Sequence, residues 1–364
     1  MGTRPTTGLT VVLLSDSGWL LLYPLDTSIC SQAINWCVGT LASHKLSLLG
    51  MSIWASLVVF VGFCLADKLT SVDLTEAKRL RPFTSKTARQ LGWQVPVCLT
   101  LFGILHPFTS IYYATLARCF AFLEGIVLVG AVAMVFVGKA FGTRIQDPDK
   151  PHDFQSPYIR QEALETSVAM YVFACLAAWP VSFYRIGIPC ALKNSLEETG
   201  DDLVFYMYKT LFGLLAADCW NYWKHRLLHT RFCFAFHRPH HMFRDPTPFA
   251  GFAVHPVEAL LTFGPVVFAC VPQVALCIPL HAPLIFGLFV LNLYLHCGYS
   301  IWILEKTLPL LFINSSTFHN THHEKTRTHF GEILYLWDWI LETGTHQFGW
   351  HSKAKLLGPT VKVP

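Results

Sequence analysis

Three short stretches of the chain place histidines where they could hold metal. They read His225-Arg226-Leu227-Leu228-His229, His237-Arg238-Pro239-His240-His241 and His319-Asn320-Thr321-His322-His323. Offsets of three and four residues put side chains a turn apart on one face of a helix, where imidazoles can converge on a common centre. Eight rings exceed what one ion needs. They imply two metal ions, each with three or four histidines and at least one open position. Imidazole suits zinc, copper, iron and nickel alike, but the absence of thiolates from the three stretches argues against a structural zinc site. A zinc protease of the H-E-x-x-H type is excluded because Arg327 stands where the second histidine would follow His323-Glu324. A haem held by one ring from each of two helices would leave the doubled His-His pairs redundant.

Other histidines are candidates outside these stretches. His296, in Leu295-His296-Cys297-Gly298-Tyr299, is a further candidate ligand; so is His255, in His255-Pro256-Val257-Glu258, and His329 is a lesser one. His44, His106, His152, His281, His346 and His351 read as interfacial or hydrogen-bonded residues. A ligating imidazole hands its other N–H to an acceptor that fixes its tautomer. Asp218, two helical turns before His225, is one plausible acceptor, with Asp338 and Glu258 as the others.

The elements that position these residues must lie in or against a membrane. Hydrophobic residues make up 53% of the 364, only 14% are charged, and mean hydropathy is +0.42. A soluble chain carries about 25% charge, and so little charged surface would leave large apolar patches unless lipid covered them. Candidate membrane helices run over 47–66, 93–113, 119–141, 166–184, 203–222, 258–279 and 282–298. The apolar stretch from Gly8 to Leu25, interrupted by Ser15-Asp16-Ser17, is expected as a signal anchor or an eighth span. Lys68, Lys78, Arg79, Arg81, Lys86 and Arg89 place the loop after the first clear span in the cytosol. Alternation of the later spans then brings every histidine cluster to that same face, with His296 level with them at the end of the last span. Histidine rings there would be costly unless something fixed them.

The net charge of +4 comes without a long basic block, so nucleic-acid binding has no support. The 12 cysteines, among them Cys64, Cys98, Cys175, Cys270 and Cys277, mostly sit in apolar stretches and form no C-x-x-C pair. The polar stretch Gln146 to Glu165 is the nearest thing to a boundary. It separates an N-terminal membrane region, 1–165, from a histidine-bearing catalytic region, 166–345, with a tail over 346–364.

The three histidine stretches, preceded by Asp218-Cys219-Trp220-Asn221-Tyr222-Trp223-Lys224, resemble the fatty acid hydroxylase/sterol desaturase superfamily over about residues 203 to 345. Pro246-Thr247-Pro248-Phe249-Ala250, the His255-Pro256 pair, Phe312-Ile313-Asn314 and Leu336-Trp337-Asp338 look most like its sterol C-5 desaturase branch. His329-Phe330, before Gly331, departs from the Tyr/Asn-type pair usual there. The resemblance implies an all-α polytopic membrane bundle with a cytosolic histidine-rich helical cap holding a non-haem di-iron centre. It also implies an endoplasmic reticulum membrane protein that uses O2 as co-substrate and takes electrons from NAD(P)H through cytochrome b5 and its reductase. Such a centre either desaturates or hydroxylates, since the same ligands serve both and substrate geometry decides. Sterol C-5 desaturation is the leading expectation. The rivals are a hydroxylase or methyl oxidase of another sterol or fatty acyl lipid and, from a different class, a metal-binding transporter or inactive scaffold.

Overall fold

The computed structural model describes residues 9–14, 20–25 and 83–344. The candidate span 47–66 and His44, His346 and His351 lie outside the described residues. The stretch expected as an N-terminal anchor or crossing helix holds two strands, β1 (Leu9–Leu14) and β2 (Leu20–Leu25), paired antiparallel with Leu9 opposite Leu25. Ser15-Asp16-Ser17-Gly18, which separates them, is a run of turn-forming residues that breaks the apolar stretch into two short halves.

Within residues 83–344 four long helices come first: α1 (Ser85–Phe102), α2 (Thr109–Phe141), α3 (Ile159–Arg185) and α4 (Leu203–Leu228). Short α5 (Phe234–His241) and α6 (Pro256–Phe263) precede the long α7 (Ile278–Leu295), and α8 (Trp302–Thr307), α9 (Ser316–Lys325) and α10 (Leu336–Ile340) complete the helices. Three of them, α2, α3 and α7, are long and apolar enough to cross a membrane. On α2 the exposed residues include Phe122, Val129 and Phe136, and on α7 Phe286 and Val290, as lipid-facing surfaces require.

Three expected spans need revision. Span 93–113 is two elements, because α1 ends at Phe102 and His106, held extended before Pro107, breaks the chain before α2 starts. Span 258–279 is not one helix: α6 stops at Phe263 and gives way to 3-10 turns at Gly264–Cys270 and Pro272–Val274. Pro265 and Pro272 each remove a backbone donor, a loss that average hydropathy does not register. Span 203–222 does fall in a continuous helix, α4, but that helix carries Lys209, ion-paired with Asp201, and buried Asp218 and Lys224, and it is not among the three.

The main core joins Val127, Ala131 and Val135 of α2 to Met170 of α3, Phe289 and Leu293 of α7, and Phe249 and Phe252 of the loop before α6. Short two-stranded pairs tie the connections together. β3 (Gly142–Arg144), after α2, runs antiparallel to β6 (Tyr299–Ile301), after α7; β4 (Leu192–Lys193) runs parallel to β5 (Leu276–Cys277). The first pair sets α2 and α7 ending at the same end of the bundle, where α3 begins. The segment 142–153 is fastened there to the histidine stretches: Arg144 donates to Asp245 at 2.6 Å, Gln146 to Asn320 at 2.9 Å, and His152 Nε2 bonds the Pro246 carbonyl at 3.0 Å. The polar segment after α2 and the histidine stretches therefore share one end of the bundle.

Gly138, near the end of α2, lies against the Tyr299 ring, and a Cβ there would stand 2.6 Å from a ring carbon. Gly138→Val is expected to lower stability by about 1–3 kcal/mol, since it overpacks a filled site. Thermal denaturation of the full chain in detergent micelles checks this; an unchanged midpoint would show that the contact yields freely.

Candidate metal centre

Nine histidines converge at this end of the bundle in two groups, with the ligand-capable atoms of each group within 4.8 Å of one another. His225, His229, His237, His241 and His322 form one; His240, His296, His319 and His323 form the other. Four elements supply them. The last turn of α4 carries His225 and His229, α5 carries His237, His240 and His241, His296 caps α7, and α9 carries the third stretch. Helix α9 is started by Ser315, whose hydroxyl accepts from the Phe318 amide at 3.4 Å.

The adjacent pairs divide between groups. His241 and His322 belong to the first and their neighbours His240 and His323 to the second. Residues four apart, His237 with His241 and His319 with His323, stay together, while the ring three positions along points into the other group.

Hydrogen bonding fixes which ring nitrogen faces inward. His225 Nδ1 donates to the Phe330 carbonyl at 2.8 Å, His237 Nδ1 to the Glu258 carboxylate at 2.7 Å and His322 Nδ1 to the Thr328 carbonyl at 2.7 Å. In the second group His240 donates to Ala253 at 3.2 Å, His296 to Asn292 at 2.9 Å and His323 to Phe243 at 3.0 Å. With Nδ1 protonated, each Nε2 presents a bare lone pair to the interior. The consequence is plain at His225 and His237, whose Nε2 atoms lie 3.0 Å apart. Neither can donate, so the contact is two lone pairs facing each other, which a shared cation would turn from repulsive to attractive. His323 Nε2 is likewise buried without a partner. The residues present therefore fit metal ions, and the donor set is imidazole throughout.

Burial, reinforced by neighbouring imidazoles, holds His225, His229, His240, His241, His319 and His323 well below the usual histidine range. Burial lowers His296 to about 4 and His322 to about 3.

Both groups border one cavity of about 270 Å³. His225, His237, His240, His296 and His319 line it together with apolar residues that include Phe252, Phe263, Ile285, Phe289 and Leu295. A second, apolar groove of about 680 Å³ runs between α2 and α7. Phe289 lines both.

Residues 210–343 match the sequence model of the fatty acid hydroxylase family. The chain carries a fatty acid hydroxylase family domain. It is 33% identical to lathosterol oxidase of Mus musculus over 171 residues, 45% of this chain and 54% of that protein. To C-4 methylsterol oxidase of Schizosaccharomyces pombe it is 31% identical over 38% of this chain and 48% of the relative. A Delta(7)-sterol 5(6)-desaturase of Aspergillus fumigatus is 27% identical over 293 residues, 79% of this chain and 80% of the relative. The chain spans about half the length of the lathosterol oxidases it matches. No solved structure matches.

The remaining sequence-predicted residues of the domain separate cleanly. His255 is in neither group: it caps α6 by accepting from the Val257 amide at 3.1 Å and bonds the Ala88 carbonyl at 2.9 Å, so both ring nitrogens are taken by backbone. His329 is also outside. Its backbone is left-handed at φ 62, a conformation in which Asn is favoured, and its ring stacks on Phe318 at 3.9 Å. His106, His152 and His281 are hydrogen-bonded to Ser182, Pro246 and Tyr206.

Of the three carboxylates, only Glu258 touches a ring. Asp338 acts one step back, accepting from the Phe330 and Gly331 amides at 2.9 and 2.6 Å and so holding the carbonyl that His225 uses. Burial raises it to about 6. Asp218 accepts from Trp337 Nε1 at 2.6 Å and the Leu334 amide at 3.3 Å, not from a histidine. Sequence reasoning missed the carbonyls of Ala253, Asn292, Phe243, Thr328 and Phe330, for which no side-chain signal exists. It also missed Glu332, which pairs with Lys224 at 2.9 Å and comes within 4.0 Å of His225 Nδ1.

Two outcomes follow. Glu258→Gln is expected to weaken metal binding by about 10–100-fold, whereas His255→Gln leaves metal content unchanged and lowers the melting temperature; metal analysis beside thermal melts separates them. For the metal-free chain, His296 and His322 titrate near 4 and 3 in the fold but near 6.5 when unfolded. Between those values only the unfolded chain binds these two protons, so the histidines' contribution to stability falls as pH drops from about 6.5 toward 4 and is level above about pH 7, while the raised Asp338 carboxyl contributes in the opposite sense. Melts of the metal-stripped chain at pH 7.5, 6 and 5 read this directly, and a flat profile would contradict buried neutral rings.

Proposed function

We propose that this chain is an O2-dependent oxidase of a membrane lipid, working through two iron ions held by its nine grouped histidines. His225, His229, His237, His241 and His322 would hold one ion, and His240, His296, His319 and His323 the other. The observation that carries this reading is the shared cavity: two sets of inward-facing imidazole nitrogens border one apolar space. Iron there supplies the redox chemistry that activates O2 toward an unactivated C–H bond. The protein does the rest. Outward Nδ1–H bonds turn six of the nine rings so that Nε2 faces inward; Phe252, Phe263 and Phe289 exclude water and orient an apolar chain or ring; and the groove past Phe289 offers lateral access from lipid.

Within that class the proposal is C-5 desaturation of a sterol, supported by the names of the lathosterol oxidase and 5(6)-desaturase relatives. Dehydrogenation removes two hydrogens from the substrate; with two electrons and two protons from a donor, O2 becomes two waters. The proposed donor is NAD(P)H acting through cytochrome b5 and its reductase, with residues 166–345 as the catalytic region. The proposed setting is the endoplasmic reticulum membrane, with the histidine cap on the cytosolic face.

The test is metal analysis and turnover of the purified full chain. Two irons per chain are expected, with O2-dependent conversion of lathosterol to a product carrying a second ring-B double bond. His241→Ala and His240→Ala, one from each group, are each expected to cut bound iron and reduce turnover to less than about a tenth. A hydroxylated product would favour the hydroxylase reading instead, and oxidation of a 4-methylsterol offered in place of lathosterol would favour the methyl oxidase reading. Metal without O2 consumption would favour a transporter or scaffold.

A further inference from the structure

A broad apolar surface is left exposed at the histidine end of the bundle. In the segment that follows β6, Trp302, Ile303, Leu310 and Leu311 are 54–79% exposed. The inward side of the same segment is anchored. Leu304 and Leu308 pack against the cluster of Tyr294, Leu295 and Ile301, and Glu305 accepts from the Tyr294 hydroxyl at 2.6 Å and from the Thr317 amide at 3.3 Å. Residues 302–311 are thus two-sided, and it is the apolar side that faces out. Phe312 extends this patch to α10, where its ring lies 6.3 Å from that of Trp339, and Trp339 and Ile340 are half exposed.

The geometry points to a phospholipid leaflet as the partner of this patch: α8, the 3-10 turn Leu308–Leu311 and the end of α10 lie in the plane of the membrane, in the layer where headgroups meet acyl chains. Continuity with the lipid-facing helices decides the partner. Gly142 pairs with Ile301 in the β3–β6 ladder, so Phe141, the last residue of α2 and 74% exposed, adjoins Trp302 at the end of that ladder. The membrane-crossing helix α2 therefore ends beside the patch, and lipid around the one reaches the other. An in-plane segment of this kind sinks its apolar side about 5–10 Å into the leaflet, holds tryptophan at the boundary and extends a lysine toward the headgroups. Trp302, Trp339 and the exposed Lys306 supply those groups. The seat also bears on the cavity. The Phe312 carbonyl accepts from the Tyr335 amide at 3.0 Å, the Asn314 amide donates to the Ile333 carbonyl at 2.8 Å, and Glu332 and Ile333 line the cavity. A leaflet that fixes this segment thereby fixes the depth of the cavity, near enough to the acyl layer for an apolar molecule to pass between them without crossing water. This surface is independent of the oxidase reading and holds for any chemistry at the histidine groups.

The experiment places the photoreactive amino acid p-benzoylphenylalanine at Leu310 of the full chain and, for comparison, at Glu324, which is exposed on α9. Membranes of the expressing cells are irradiated before solubilisation, and adducts of the purified chain are identified by mass. At Leu310 a phospholipid adduct is expected, at least about tenfold more abundant than at Glu324. A link from Leu310 to a second copy of the chain, to another protein or to another part of the same chain, in place of lipid, would overturn the inference. Equal lipid labelling at the two positions, or no adduct at Leu310, would overturn it as well. If the chain labelled at Leu310 does not fold, the unlabelled chain in vesicles of brominated phosphatidylcholine decides: the bromine is expected to quench more than about half of the emission that Trp302→Phe removes. Emission from Trp302 that the bromolipid leaves unchanged would overturn the inference.

Discussion

An imidazole has one nitrogen that carries a proton and one that carries a lone pair, and this end of the fold depends on which of them faces inward. Six of the nine grouped rings have Nδ1 bonded to an acceptor on the outer side: five backbone carbonyls and one carboxylate, Glu258. Each such bond turns the ring so that its lone pair points to the shared interior. The price is a set of mutually repelling, buried lone pairs, a local conflict that folded proteins keep only where something else resolves it. Much of the polar architecture nearby serves these acceptors. Asp338 fixes the Phe330 carbonyl through two amides, and Asp218 steadies the segment leading to it through Leu334 and Trp337.

The membrane and the histidine centre are joined through helix ends. Helices α2, α3 and α7 form the apolar core, and the strand pair β3–β6 brings the chain leaving α2 against the chain leaving α7 just past His296. Arg144, in β3, donates to the Gly298 carbonyl and to Asp245, so it links the end of α7 to the loop that follows α5. Gly298 adopts φ 70, and a Cβ there would meet the Arg144 guanidinium and the His152 ring at 2.6 Å. Glycine at 298 is therefore needed both for its left-handed backbone and for the close approach of that network.

What the sequence made legible was the part governed by periodicity. Offsets of three and four residues put the rings of each histidine stretch about a turn apart, and α4 with its cap, α5 and α9 carry them at that spacing. It did not reveal that His240 and His323 would face a different group from His241 and His322, since that depends on how the helices cross. The carbonyl acceptors were invisible because every residue has one. Asp218 lies two turns before His225 on α4, but its carboxylate accepts from Trp337 Nε1 and the Leu334 amide and not from a histidine. His255 had the chemistry of a ligand and the position of a helix cap, and Pro256 after it is the mark of the latter. The span at 258–279 failed for a related reason: hydropathy averages the side chains, whereas Pro265 and Pro272 act through the backbone.

The division of the adjacent histidine pairs has a mechanical consequence. Helices α5 and α9 each contribute rings to both groups, so neither helix can shift to accept or release one ion without displacing donors of the other. The two ions proposed for these groups would therefore fill and leave their positions together, and disorder in either helix would remove donors from both groups at once.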